Sequence, residues 1–265
     1  MSLKVKYYKA GNDLDWLVKQ FEAINFKGND VILDKFIPRE DASIVFHFKG
    51  CPQLVKPTDQ CLPPFFIAPL SPNANLIRID KEMDTFIVSC KPTVLSGILN
   101  ISLVPDSQTY IPLPYGIFFP LWEKLSHLKS AEQRIKYFCR FADNIRQGTY
   151  IPDETDMFYD TIVENGIGVP LREIINSFPV DERTVQRKLR KRLGVSPKTL
   201  IRIVRFNYLW EKINSNNIID YQDLVYYGNY FDQTHLIKDF KAITGETPDY
   251  FFKRNLKVVK IFSGK

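Results

Sequence analysis

The chain has 265 residues, with 36 Lys and Arg against 30 Asp and Glu, a net charge of +6 and a hydrophobic share of 45%. That length suits two domains, and that apolar share can fill their cores. No run approaches the roughly 18 apolar residues of a membrane span, and Met1-Ser2-Leu3-Lys4-Val5 opens no apolar signal core, so a cytoplasmic protein with no membrane contact is expected.

Residues 1–115 carry short β-prone runs at 31–37, 43–48, 65–68, 76–79 and 85–90, separated by Pro, Asn, Asp and Gly. Pro is dense between them, at Pro52, Pro57, Pro63, Pro64, Pro69 and Pro72. A small β-barrel or sandwich with irregular loops is predicted, followed by a short helix over 93–99. The four cysteines, Cys51, Cys61, Cys90 and Cys139, lie 10, 29 and 49 positions apart. That spacing forms no metal pairs, and buried free thiols in a reducing compartment are expected.

Leu121, Leu125 and Leu128 mark a helix. Ser130-Ala131-Glu132-Gln133 is a capping box. It opens a second helix to about residue 146, with Ile135, Phe138, Ala142 and Ile145 on one face. Helical periodicity stops over 147–153. The expected division is therefore 1–147, a β-rich effector or dimerisation domain ending in helices, and 148–265, an all-α domain. Together they make an α+β chain. Asp153 can cap a helix to about residue 164, closed by Asn165-Gly166.

Beyond this point the chain repeats itself at an offset of 51 residues. Residues 181–202 align with 232–253 without a gap. Asp181 meets Asp232, Val185 meets Leu236, Arg187 meets Lys238, Leu189 meets Phe240, Gly194 meets Gly245 and Pro197 meets Pro248. So dense a match means one supersecondary unit used twice. Asp181 and Asp232 are N-caps. Val185 with Leu189, and Leu236 with Phe240, form apolar helix faces. Gly194 and Gly245 fall where a helix ends in positive φ, and Ser196-Pro197 and Thr247-Pro248 start the next one. Short helices over 170–178 and 220–227 precede the copies, with turns at 177–180 and 228–231. Each unit, about 170–193 and 220–244, is thus a helix-turn-helix, whose second helix fits the DNA major groove.

A long helix over 199–213 bridges the units. Leu200, Val204 and Tyr208 form one apolar stripe, and Ile203, Phe206, Trp210 and Ile213 another, so it must be covered on two sides. At about 1.5 Å per residue it spans roughly 22–27 Å, consistent with recognition helices near one DNA turn apart, about 34 Å. From Arg183 to Arg205 there are nine basic residues and no acid. Block-like positive charge attracts phosphates.

These residues resemble the DNA-binding domain of AraC/XylS-type bacterial transcription regulators. In that family the first unit typically ends in Leu-Gln-Arg and then Gly-x-Ser-Pro, matched here by Val185-Gln186-Arg187 and Gly194-Val195-Ser196-Pro197. The second typically reads Gly-Phe-x-x-x-Ser-His-Phe-x-Arg-x-Phe-Lys and then Gly-x-x-Pro. This chain has Asn229 to Lys241 in register, including His235, Phe240 and Lys241, and then Gly245 to Pro248. Asn229 stands at the family's turn Gly, and Asn tolerates the left-handed conformation. Ile175 and Val225 replace small Ala, and Pro179 is unusual in the first turn. More loosely, the 44–48 run, the Lys91-Pro92 strand end and Leu95 to Leu99 resemble N-terminal sensor domains fused to such regulators.

The resemblance implies a sequence-specific transcription regulator with two recognition helices per chain in successive major-groove segments. Base-reading positions would be Glu182, Arg183, Gln186 and Arg187 in the first unit and Gln233, Thr234, Ile237 and Lys238 in the second. Arg pairs with guanine, Gln with adenine, Glu with cytosine, and Ile meets a thymine methyl. Lys188, Arg190, Lys191, Lys198, Arg202 and Lys241 are phosphate candidates that position without specifying. His235 is expected to pack or cap. The expected partner is double-stranded DNA. RNA polymerase, a small-molecule effector and a second copy of the chain are further candidates, and no metal or cofactor is called for. The alternative is an architectural or co-regulator module whose N-terminal half binds a protein and senses no small molecule. Enzyme readings find no support: the first half has only His47 and His127, and no nucleophile elbow, phosphate loop or Cys-x-x-Cys occurs.

Overall fold

The computed structural model describes residues 2–11, 13–105, 109–145, 150–179, 181–216 and 220–253. Ten strands come first: β1 (Ser2–Lys9), β2 (Val18–Lys27), β3 (Ile32–Phe36), β4 (Ala42–Lys49), β5 (Gln53–Lys56), β6 (Gln60–Cys61), β7 (Phe65–Ala68), β8 (Asn75–Ile79), β9 (Glu82–Cys90) and, after α1 (Pro92–Leu99), β10 (Ile111–Pro112). Helices follow: α2 (Tyr115–Ser126), α3 (Ala131–Ile145), α4 (Glu154–Asn165), α5 (Leu171–Asn176), α6 (Glu182–Leu193), α7 (Pro197–Asn216), α8 (Tyr221–Tyr227), α9 (Gln233–Thr244) and α10 (Pro248–Lys253). An N-terminal β-rich region with helices thus precedes a C-terminal helical domain.

The strands make two antiparallel sheets, one in the order β1-β2-β9-β4-β7-β10 and one in the order β3-β8-β5-β6. β4 is buried along most of its length because both of its faces are covered, which turns an alternating pattern into a continuous apolar run. Ile44 and Phe46 face one core with Phe21, Phe86 and Phe138. Val45 faces the other, with Ile24, Phe66, Ile79 and Met83. Arg134 of α3 clamps the strands from outside. Its guanidinium donates both Nη atoms to the Asp84 carboxylate at 2.8 Å and lies over the Phe48 ring.

The first core continues without a break from the β-rich region through α4 and α5 to α6 and the start of α7. The Asp153 cap of α4 forms in full: its carboxylate accepts from Thr155 N and Asp156 N, and Asp156 reaches back to Asp153 N. The Ser130 box forms too, with Gln133 N donating to Ser130 Oγ at 3.2 Å and Ser130 N donating to Gln133 Oε1 at 3.3 Å. Positions 146–149, where the third helix and the boundary were expected to end, and Val180 of the first turn lie outside the described residues.

Several expectations are corrected. Strands β1, β2, β5, β6 and β10 were not anticipated. β1 alternates Lys with apolar residues at an edge, β2 carries Glu22 among its buried positions, and the other three are four residues or fewer. The cysteines are unpaired, but Cys51 and Cys61 are exposed and only Cys90 is fully buried. The bridging helix is covered along its length more than on two stripes. Leu200, Ile201 and Val204 pack with the first unit, while Phe206, Leu209, Trp210 and Ile213 pack with the second. Tyr208 is only half-buried, with Lys212 above its ring.

Candidate nucleic-acid interface

α6 starts where the Asp181 carboxylate accepts from Thr184 N at 2.9 Å, and hydrogen bonds from the side chain and then the backbone of Thr184 hold this carboxyl below its ordinary range. It ends at Gly194, whose φ is +80°. Val185, Leu189 and Leu193 bury one face. The opposite face presents Glu182, Arg183, Gln186, Arg187, Lys188, Arg190 and Lys191, all exposed. Gln186 Nε2 donates to Glu182 Oε1 at 2.9 Å, one turn back. Lys188 reaches Glu154 at 3.6 Å, so one of the cations already has a weak partner.

α9 repeats the construction. Asp232 accepts from His235 N at 2.7 Å, Gly245 closes the helix at φ +77°, and Leu236, Phe240 and Ile243 are buried. Gln233, Thr234, Lys238 and Lys241 are exposed and Ile237 is half-buried. His235 is exposed, with its ring meeting Tyr230 edge-on at 5.1 Å. In the turn before it, Asn229 has φ +49°, and its side-chain amide donates to Ile167 O at 2.9 Å. The neighbouring Phe231 is 92% exposed; nothing in the sequence pattern singled it out. Lys198 is exposed, whereas Arg202 is half-buried and paired with Asp239 at 3.0 Å, tying α7 to α9.

Both α6 and α9 are held at their C-terminal ends by the β-rich region. At α6, the carbonyl of Lys191 accepts from Leu103 N at 3.0 Å and Ser102 Oγ at 3.2 Å. Arg192 turns inward: it donates to Thr93 O at 2.5 Å, to Asp153 at 2.6 Å and to Asp156 at 2.9 Å, and also meets the Tyr150 hydroxyl. At α9, Thr244 O accepts from Lys35 Nζ at 2.6 Å, and Ile243 O accepts from Ala74 N at 2.7 Å. Lys35 also pairs with Glu246 at 2.5 Å. The N-terminal halves of α6 and α9 are left exposed, which is where a recognition helix meets base edges. Among the described residues no cluster of His, Cys, Asp and Glu could hold a metal ion, and no helix is long and apolar enough to cross a membrane.

Residues 175–254 match the family model of a helix-turn-helix domain. Among solved structures, ToxT from Vibrio cholerae is 11% identical with a TM-score of 0.48, covering 95% of this chain and 98% of that one. ToxT bound to (E)-4-(8-methylnaphthalen-1-yl)but-3-enoic acid is 12% identical with a TM-score of 0.47, covering 95% and 99%. The AraC-like transcriptional activator CuxR is 10% identical with a TM-score of 0.25, covering 91% and 88%. No curated protein matches the sequence. With the 51-residue repeat folded twice into a helix, a turn and a capped second helix, residues 175–254 are a helix-turn-helix domain of the AraC type.

Proposed function

We propose that the chain is a non-enzymatic, sequence-specific DNA-binding transcription regulator, with α6 and α9 in successive major-groove segments and the β-rich region, about residues 1–147, modulating the DNA-binding part. The observation that carries this reading is the pair of capped helices with exposed N-terminal halves, set on the one helix α7. Its 20 residues give a strut of about 30 Å, commensurate with the roughly 34 Å turn of DNA.

Glu182, Arg183, Gln186 and Arg187, with Gln233, Thr234, Ile237 and Lys238, would read bases. Lys188, Arg190, Lys191, Lys198 and Lys241 would hold phosphates. Arg202 keeps a smaller part in this scheme, because Asp239 already engages it. DNA recovered by selection from random duplexes supplies the test. The chain should protect two patches about one helical turn apart on one face. Arg187→Ala should cost about 1–3 kcal/mol and relax preference at one position, while Lys191→Ala should weaken all sequences alike and lower the salt slope by about one ion. A single protected patch, or uniform loss in both variants, would refute the assignment.

A further inference from the structure

The two helix-turn-helix units carry net charge of opposite sign. Residues 169–202 hold nine Lys and Arg against three Asp and Glu, while the equivalent residues 220–253 hold three against six. Phosphate contacts need cations, so the second unit has little with which to grip a DNA backbone. It does not strongly repel one either, because most of its acids are engaged. Asp220 and Asp232 cap α8 and α9. Asp239 pairs with Arg202, Glu246 pairs with Lys35, and Asp249 accepts from the Tyr221 hydroxyl at 2.8 Å.

In place of charge the second unit offers apolar surface. Phe231 directly precedes the Asp232 cap of α9 and is almost wholly exposed. Tyr226, also exposed, lines a concavity with Gln222 and Gln233 at the same end of α9. Ile237 follows one turn along α9, half-buried. A single exposed apolar side chain is ordinary on a protein surface. Phe231, however, stands at the end of α9 that meets base edges when a helix enters the major groove. The apolar feature among those edges is the thymine methyl group. Phe has no donor or acceptor, so methyl contact is the base-specific reading open to it.

Sparse charge is no obstacle to a second contact. The units share α7, so once the first has engaged a duplex, the second meets its segment at high effective concentration. Long-range attraction is then supplied by the first unit, and the second needs only short-range contacts. Burial of an exposed ring against a methyl group is such a contact, and it does not depend on counterion release.

We propose that Phe231 is a specificity-determining residue that reads a thymine methyl group in the segment met by α9, by a contact almost independent of salt. This inference rests on the two-groove reading given under the proposed function. The full chain and a duplex selected from random sequences supply the test. Each thymine of the protected patches is replaced in turn by uracil, which lacks only the methyl group. A buried methyl group contributes about fourfold in affinity. One replacement should weaken wild type by about that factor and leave Phe231→Ala unaffected. On the unmodified duplex Phe231→Ala should bind about tenfold more weakly, with the salt slope and the Tm of wild type. Phe231→Leu should recover part of the affinity together with the sensitivity to uracil. Full affinity in Phe231→Ala would overturn the proposal and make the ring a contact for a protein partner instead. The absence of any uracil-sensitive thymine would overturn it too, as would sensitivity that persists in Phe231→Ala, or a salt slope lowered by about one ion or more. These outcomes leave DNA binding itself standing. A chain that selects no duplex would instead sink the regulator reading, and this inference with it.

Discussion

The two helix-turn-helix units share a backbone plan and differ in how they are fastened to the rest of the molecule. Position 192 of the first unit corresponds to position 243 of the second. Arg192 is held by carboxylates, a tyrosine hydroxyl and a carbonyl at the end of α6. Ile243 sits instead in an apolar cluster with Ile37, Trp210 and Phe251. The exposed faces differ in the same sense: α6 presents five exposed cations and α9 two. At this position one unit is thus fastened by charge and the other by apolar packing, which adds to the Lys35–Glu246 and Arg202–Asp239 pairs, and the first offers more charge on its exposed face. A duplicated fold keeps its caps and its glycines, because helix ends demand them. It is free to change whatever merely fills space between layers.

The largest effects should come from cutting these fastenings. Arg192→Ala leaves Asp156, 5% exposed in its side chain, without its cation, at a cost of about 3–5 kcal/mol. Ile243→Ala leaves a cavity and should cost about 2–5 kcal/mol. Acid separates the two. Burial pushes the Asp153 carboxyl up, but Arg192 together with the hydrogen bonds from Thr155 and Asp156 holds it below its ordinary range. A depressed carboxyl stabilises the fold above its unfolded value, near 3.8, and that contribution fades as pH falls through the folded value. Denaturant melts between pH 7 and pH 2 should show a smaller acid loss in Arg192→Ala than in wild type and in Ile243→Ala. Equal acid profiles in all three would show that Arg192 does not set the Asp153 pKa.

The closing glycines should differ next. Both have positive φ, so Ala at either pays a left-handed penalty of about 1–2 kcal/mol. At Gly245 a Cβ would meet nothing nearer than Lys35 Nζ at 3.7 Å. At Gly194 it would lie 2.3 Å from Leu103 O, so the segment that bonds the end of α6 must move. Gly194→Ala should therefore destabilise by clearly more than Gly245→Ala, by about 1–3 kcal/mol of added overpacking, and should also loosen Leu103 N from Lys191 O in hydrogen exchange. Equal melting temperatures would mean that the 102–104 segment yields freely.

What could be read beforehand follows the range of the interactions. Caps, closing glycines and the 3.6-residue period act within a few positions, so α4 to α9 follow from local pattern. Strands β3, β4, β7, β8 and β9 were legible as β-branched and aromatic runs between prolines. β2 was not, because Glu22 at an inward position makes sense only with Arg39, 17 residues away. The same distance effect hid two residues of the basic block. Arg192 and Arg202 look like their neighbours in sequence, yet carboxylates at 153, 156 and 239 draw them inward. The run 31–37 was legible as a strand, but the role of 35–41 as a wall shared with α7 and α9 was not, since the partners of Lys35 and Glu40 lie about 170–210 positions later.

The smallest effect concerns the turn in which the units part company. Position 229 corresponds to Phe178 in the first unit, which is not among the positive-φ residues. Asn229 adopts φ +49° and donates its side-chain amide to Ile167 O at 2.9 Å, tying the second turn to the chain between α4 and α5. Two terms then oppose each other in Asn229→Gly. Relief of the left-handed backbone favours Gly, while the lost bond and the larger unfolded-state entropy disfavour it. The net cost should be no more than about 1 kcal/mol. Asn229→Val loses the bond and also pays the left-handed penalty, which is severe for a β-branched side chain, for about 2–3 kcal/mol in all. Asn229→Asp keeps the size and the tolerance for positive φ but has no N–H to donate, so it isolates the bond. Thermal melts should rank wild type, Gly and Asp close together and Val well below. If Val matched Gly, the left-handed backbone would contribute nothing at this turn and the Ile167 bond would carry the whole effect.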